Sequence, residues 1–377
     1  MTTTSFDIAV IGAGIAGASV AAALAEHVSV ILIEKEQHPG YHSTGRSAAM
    51  YIPSYGPPMI QALTKASGEF LHKPPIDFCT TPLLNPRAEM LIARKDQLAA
   101  IDKFMQHHSV DKNVHRLDAI EVRKQCPLLK KNYAVCGILD KSGNDIDVNT
   151  LHQAYLARFK ASGGVLTTSS QVTELRSQSP GWSVVTSKAK YTTDIVVNAA
   201  GAWANEVGAM ARAERIGLVA KRRTALTIDT PPDINTASMP LVADIDEAFY
   251  IKPDAGSLLL SPANEDPMPP CDVQPEELDI AVCIDEVEKA FDFKVTSIKH
   301  KWAGLRSFVS DNEPVAGYSE KAGNFFWLAG QGGYGIQSSP ALSKYAASMI
   351  LGNEIPSDLI SHGIDHTGRL GVARLSS

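Results

Sequence analysis

An α/β fold is predicted by three occurrences of one pattern, a short apolar strand running into glycines and then a helix. Phe6 to Ile11 (FDIAVI) leads into GAGIAG and an alanine-rich stretch to about Glu26. Tyr191 to Ala200 (YTTDIVVNAA) ends in Gly201-Ala202-Trp203, and Phe325 to Gly330 (FFWLAG) runs into QGGYGIQSSPAL. These pieces are scattered over 377 residues, so the sheet they imply draws on the whole chain.

The first piece continues into a second strand, Ser29 to Ile33 (SVILI), ending at Glu34, and is therefore a βαβ unit. GAGIAG fits G-x-G-x-x-G in its full context: a strand before, a helix after and an acid about 20 residues on. Gly12 permits the tight turn, Gly14 lets the backbone approach a pyrophosphate, and Gly17 lets the helix pack close to the strand. The helix N-terminus adds unpaired N–H groups and partial positive charge for the phosphates. Glu34 is placed to accept from ribose hydroxyls. FAD and NAD both use this fingerprint, but an NAD domain is usually continuous, whereas a bulky flavin is gripped by segments distant in sequence. The other two pieces are such segments.

Composition sets further bounds. With 35 basic and 41 acidic residues the formal charge is −6, which does not favour the phosphate contacts of nucleic-acid binding. Five cysteines (Cys79, Cys126, Cys136, Cys271, Cys283) without a C-x-x-C pair read as reduced intracellular thiols, neither a disulfide framework nor a zinc site. The N-terminus lacks a basic region and is interrupted by Asp7, Glu26 and His27, so neither a signal peptide nor a membrane span is expected. The expected location is cytoplasmic, peripheral at the membrane if the electron acceptor is a quinone. His362 and His366 (HGIDH) have metal-ligand spacing, but Gly363 breaks the helix and no third ligand follows, so no metal is expected. His107 and His108 read as solvated, as does the acidic set Glu276, Glu277, Asp285, Glu286 and Glu288 on one helix face.

GAGIAG with Glu34, the GYHSTGRSAA loop, VNAAGAW, WAGLRSF and QGGYGIQ together resemble the FAD-dependent D-amino acid oxidase family over nearly the whole chain. PRAEM, KRRTA, FYIKPDAG and SPANEDP are similar to its D-arginine dehydrogenase branch. The resemblance implies a glutathione-reductase-like FAD-binding Rossmann domain with a second, mostly antiparallel-sheet substrate domain. Residues 1–84, 146–216 and 310–377 are assigned to the FAD domain, and 85–145 and 217–309 to the substrate domain. Strands are expected at Glu89–Ala93, Leu218–Ile228, Phe249–Ile251, Ser257–Leu260 and Thr296–His300, and helices at Asn149–Lys160 and Glu276–Phe291.

The same resemblance assigns the cofactor to Gly12, Gly14, Ala16, Gly17, Glu34 and Lys35, and to Ser43, Thr44, Arg46, Ser47, Ala48 and Ala49 of the loop. Val172, Gly201, Gly333, Tyr334, Gly335, Ile336 and Gln337 complete that set. Attachment is expected to be non-covalent, since no cysteine lies near WAGLRSF. Oxidising an amino acid at its α-carbon requires the C–H to be held over the flavin ring, and arginine's planar fork is the best holder of the α-carboxylate. Arg306 and Arg223 match the family's carboxylate-binding arginines, Tyr250 a tyrosine over the substrate, and Tyr55 one that closes the pocket. Glu89 would face a distal cation, and the Gly333 carbonyl would accept from the substrate amine. Tyr250, Arg306 and Gly333 are the catalytic candidates. A helix opening at Gly333 to Gln337 would aim its dipole at the flavin N1–C2=O edge.

Two positions depart from the D-arginine dehydrogenase pattern, Met50 for histidine and Ile52 for threonine, and both add apolar surface. A pocket tolerant of apolar side chains follows. The oxygen-activating lysine of oxidase relatives is missing from Ser257 to Ser261, which points to a dehydrogenase using a quinone or other carrier. Three functions remain open: a D-amino acid dehydrogenase of basic or broad specificity, giving an imino acid and then 2-oxo acid and ammonia; a glycine/sarcosine-type oxidase making peroxide; and a non-catalytic flavin-binding subunit.

Overall fold

A computed structural model describes residues 4–231 and 235–375. The ends of the expected FAD domain at 1–3 and 376–377, and 232–234 of the other, lie outside the described residues. The first sheet runs Val172–Ser177, Trp182–Thr186, Lys190–Asn198, Thr4–Ile11, Val30–Ile33, Val165–Thr167. Phe325–Ala329 adds in parallel to Lys190–Asn198 and carries Val315–Tyr318 antiparallel on its outer side. The expected dinucleotide strand is central and parallel to both neighbours. VILI and FFWLA are buried at every position because helices cover this part of the sheet. Ile15–Ala25, Val148–Ala161 and Gly335–Leu351 pack one face, and Ala204–Met210 with Trp182 and Trp327 the other.

Gly17 confirms the packing argument: a Cβ there would sit 1.8 Å from the Gly12 carbonyl oxygen. Gly12 itself has φ +98°, and a Cβ there would meet the Ala199 carbonyl oxygen at 2.5 Å.

The second sheet carries the substrate-side residues. Val219–Asp229 pairs with His300–Phe308 on one side and with Ser257–Ser261 and Asp266–Pro267 on the other. The order then continues Tyr250–Asp254, Leu241–Asp244, Glu89–Ala93, Cys136–Asp140, Val114–Asp118. All pairings are antiparallel except Leu241–Asp244 with Glu89–Ala93. Strand alternation divides the residues between two faces. Met90, Ile92, Val242 and Ile251 share a core with Cys283, Val287 and Ala290 of the helix Glu277–Ala290. Glu89, Leu91, Leu241, Ala243 and Tyr250 point the other way and floor a cavity, whose far end is walled by the helix Leu98–His107.

Several expectations need correction. Thr296–His300 is not a strand: the chain from Asp292 to Ile298 has no long ladder to join, and pairing begins at His300 opposite Thr227 and runs through all of WAGLRSF to Phe308. Propensity without a partner edge did not make a strand there. The expected joints at 84/85 and 145/146 fall inside Leu84–Pro86 and Asn144–Ile146, which form a three-stranded sheet with Met50–Tyr51. His108 is not solvated but buried, its ring against Phe104 at 4.4 Å. Glu276 stays exposed, as expected, while one of its carboxylate oxygens pairs with the buried Arg222.

Candidate active site

Three adjoining cavities form one trough. The first, about 150 Å³, runs over Gly12, Gly14, Glu34, Lys35, Ser43, Thr44, Val172 and Gly201. The second, about 140 Å³, shares Gly14, Ser43, Thr44 and Gly201 with it and continues past Ala16, Ser47, Ala48, Gly333, Gly335 and Ile336. The third, about 610 Å³, shares Ser47, Ala48, Arg223, Tyr250, Arg306 and Gly333 with the second. It also holds Ala49, Met50, Ile52, Tyr55, Glu89, Tyr334 and Gln337. Every proposed substrate residue therefore lines one cavity.

At the dinucleotide end the backbone does most of the shaping. Glu34 is buried, and its carboxylate accepts from Ala13 N at 2.8 Å and Glu36 N at 2.9 Å, holding the glycine turn against the second strand. Thr44 Oγ1 accepts from Ile15 N at 3.0 Å in the first turn of the helix. Lys35 lies 3.2 Å from the centroid of the Trp203 ring. Arg46 behaves differently from its assignment. Its guanidinium donates to the carbonyls of Val273 (2.9 Å) and Ala303 (3.0 Å) and pairs with Asp272, so the side chain ties the loop to the second sheet and does not reach for a pyrophosphate. Its backbone lines the middle cavity.

In the middle, two buried amide nitrogens, Gln331 Nε2 and Gln337 Nε2, have no hydrogen-bond partner among the described residues. Gln337 Oε1 is fixed by Ile52 N at 3.0 Å, so its orphaned nitrogen is held in place at the cavity wall. Orphaned donors of this kind cost free energy unless something accepts from them. Polar cofactor-ring edges would do so, and the helix Gly335–Leu351 opens beside them with Tyr334 as N-cap. These residues fit a flavin. Cys271 does come close to WAGLRSF in space, packing with Ala303 and Leu305, on the strand face opposite Arg306.

In the large cavity, alternation separates the two arginines of KRRTA. Arg222 turns to the helix side, onto Asp279 at 2.8 Å, whereas Arg223 faces the cavity with one nitrogen on Glu265 at 3.0 Å and its Nε without a partner among the described residues. Arg306, on the neighbouring strand, has no carboxylate partner among the described residues. Burial opposes its charge, but Tyr55, Tyr250, Tyr334 and Glu247 surround it and hold its pKa above the usual arginine value. The guanidinium packs directly on Gly333, where a Cβ would lie 2.7 Å from its nearest nitrogen. Tyr55 and Tyr334 meet edge-on at 5.0 Å. Met50, Ile52 and Leu241 form a small apolar cluster against Tyr55, Ala243 and Tyr250.

Glu89 is buried with no ion-pair partner among the described residues, and burial, with help from Asp140 and Glu247, pushes its carboxyl up to about 8. Asp140, opposite Glu89 in the sheet, is held by Ser54 and Ser142. Sequence reasoning missed Glu247, Leu241 and the Leu98–His107 wall. Glu247 sits at φ 60° in a turn, and neither it nor the helix carries a motif.

A dinucleotide cradle opening into a cavity with an unpaired arginine defines a redox-cofactor enzyme class. Residues 7–349 match the FAD dependent oxidoreductase (DAO) family, and the chain belongs to that family. FAD is its cofactor. Human mitochondrial dimethylglycine dehydrogenase is 26% identical over 260 residues, 64% of this chain, and the chain spans only 30% of that relative's length. Glycerol 3-phosphate dehydrogenase of Caloramator mitchellensis is 22% identical over 92% of this chain and 74% of its own. Among solved structures, glycine oxidase from Geobacillus kaustophilus superposes with TM-score 0.82 at 19% identity, covering 98% of this chain and 100% of that one. That likeness shows the fold. Among the described residues no helix is long and apolar enough to cross a membrane.

Proposed function

We propose that the protein is an FAD-dependent dehydrogenase of D-amino acids, of basic or broad specificity, and that the trough residues act in the roles assigned above. The observation that carries the reading is Arg306, a cation enclosed by tyrosines and without a carboxylate partner among the described residues. A substrate α-carboxylate would supply the missing anion and accept in a bidentate pair. Arg223, only partly engaged by Glu265, is placed to assist.

Bound FAD supplies a hydride acceptor. The chain's own contribution is placement: the arginines fix the carboxylate, Tyr250 and Tyr55 cover the substrate and exclude water, and the Gly333 carbonyl accepts from the amine. The N-terminus of Gly335–Leu351 would favour negative charge on a cofactor edge held against it. The imino acid released hydrolyses in water to a 2-oxo acid and ammonia. Basic side chains suit Glu89, since a cation beside it would restore the charged carboxylate that burial disfavours.

A small N-methylated glycine, the substrate class named by one relative, would leave most of a 610 Å³ cavity unfilled. Among the described residues, the large and middle cavities are lined by a single lysine, Lys103 on the far helix, which supports an acceptor other than oxygen. An anaerobic screen of D- and L-amino acids for bleaching of the oxidised flavin tests the reading: bleaching by D-amino acids is expected, and bleaching by L-amino acids or N-methylglycines alone would overturn it. Rapid mixing of photoreduced enzyme with oxygen tests the acceptor, with slow reoxidation expected.

A further inference from the structure

The second sheet acts as a ruler. Tyr250, Ala243 and Leu91 lie side by side on three adjacent strands, so Leu91 is two strand spacings, about 10 Å, from the tyrosine that covers the α-carbon. An alanine methyl reaches only about 1.5 Å from that carbon, one carbon–carbon bond. The cavity nevertheless continues to Leu91, Ile245 and the helix Leu98–His107, where Ala100, Lys103, Phe104 and His107, with His108 at its C-cap, line it. Those positions recur at three- and four-residue intervals, so they form one stripe of the helix turned to the cavity. Ile101 is the fully buried anchor of the helix on the sheet, and Leu91, Phe104 and Ile245 pack beside that anchor yet stay only partly buried.

His108 is the second sign of a ligand. It is 7% exposed, its ring lies 4.4 Å from that of Phe104 at 30°, and neither ring nitrogen has a protein partner among the described residues. Burial, with Lys65, lowers its pKa, so the imidazole is neutral near pH 7 and offers one donor and one acceptor.

We propose that this end of the cavity is a distal subsite, in which Phe104, Leu91 and Ile245 take an aromatic side-chain terminus and the His108 imidazole hydrogen-bonds a polar group on it. The inference rests on the carboxylate anchor proposed for Arg306 and deepens it: within a broad specificity, D-amino acids with long aromatic side chains bearing a hydroxyl or ring N–H gain a site of their own.

Binding can be read without turnover by titrating the FAD-loaded protein with unreactive carboxylates and following the oxidised-flavin spectrum. Acetate, 3-phenylpropionate and 3-(4-hydroxyphenyl)propionate probe the anchor, the ring site and the hydrogen bond in turn. His108→Phe should weaken only the hydroxylated probe, by about fivefold, the worth of one hydrogen bond. Phe104→Ala should weaken both aromatic probes by about fivefold, the worth of one aromatic contact, and leave acetate unchanged. Acetate binding also reports that each variant is folded. Aromatic probes binding no more tightly than acetate to the unaltered protein, or variants weakening all three equally, would overturn the subsite while leaving the anchor intact. Spectral silence with every carboxylate would remove the anchor itself, and the subsite with it.

Discussion

The two ends of the trough are walled by different parts of the chain. Around Gly12, Gly14 and Thr44 the walls are main chain, and the residue types matter for what they lack: a Cβ at Gly12 collides with a carbonyl, and one at Gly14 would lie 3.2 Å from Thr44 Oγ1. At the other end the walls are side chains standing on a sheet, and Arg306, Arg223, Tyr250 and Glu89 matter for what they present. A backbone-built site tolerates almost no change at its glycines. A side-chain-built site can change ligand while keeping its frame.

Perturbing the backbone end should therefore have the largest effect. Gly12→Ala forces a side chain into φ +98° and to 2.5 Å from Ala199 O, so the protein is expected to purify without flavin and to melt at lower temperature. The flavin-to-protein absorbance ratio and thermal unfolding check both. Retention of full flavin would break the contrast between the two ends. Arg306→Leu comes next. It removes two charge-assisted hydrogen bonds but leaves the glycine turn of the cradle untouched, so kcat/KM should fall about a thousandfold, on the order of 4 kcal/mol, with flavin retained.

Legibility in the sequence follows the same division. The dinucleotide unit was readable because its geometry is local: strand, glycine turn, helix and Glu34 lie within one short stretch. The Phe325–Ala329 strand and the helix after it were readable for the same reason. The large cavity was readable only through resemblance. Arg223, Tyr250, Glu89 and Arg306 are brought together by strand order, and no periodicity in the chain encodes that order. Where resemblance was silent the reading failed: His108 looked solvated because nothing local shows that its helix returns over Leu91. The Arg46 assignment came from the resemblance itself, and nothing local in the loop shows that its guanidinium pairs with Asp272 far along the chain.

A smaller effect tests whether the side-chain end is tuned by charge. Glu89 has its pKa raised to about 8, so in the folded protein it is neutral where an exposed glutamate is already ionised. The unfolded state then binds fewer protons, and folding stability contributed by this group falls as pH rises from the ordinary glutamate pKa to about 8. Glu89→Gln should flatten that slope in chemical denaturation. A cationic substrate reverses the preference by favouring the carboxylate, so its binding releases a proton. Below pH 8 the KM for D-arginine should fall up to about tenfold per pH unit as pH rises, relative to D-leucine, and Glu89→Gln should abolish the difference.

The smallest effect concerns the neck between the two ends. Met50 and Ile52 lie in the loop that begins as cofactor wall and ends as cavity wall, and both are buried against Leu241. Met50→His exchanges a flexible thioether for an imidazole of similar length, able to accept from a guanidinium or ammonium group. The backbone there is held by the pairing of Met50 with Asp145, so the loop should keep its course and the flavin its site. Preference for D-lysine or D-arginine over D-methionine should rise by about fivefold, the worth of one hydrogen bond. Part of that gain must offset the loss of apolar contact with Ile52 and Leu241, so kcat/KM for D-methionine should fall as the ratio rises. If the ratio stays fixed while flavin binding weakens, Met50 belongs to the cofactor wall, and the boundary between the two ends moves one residue toward the substrate.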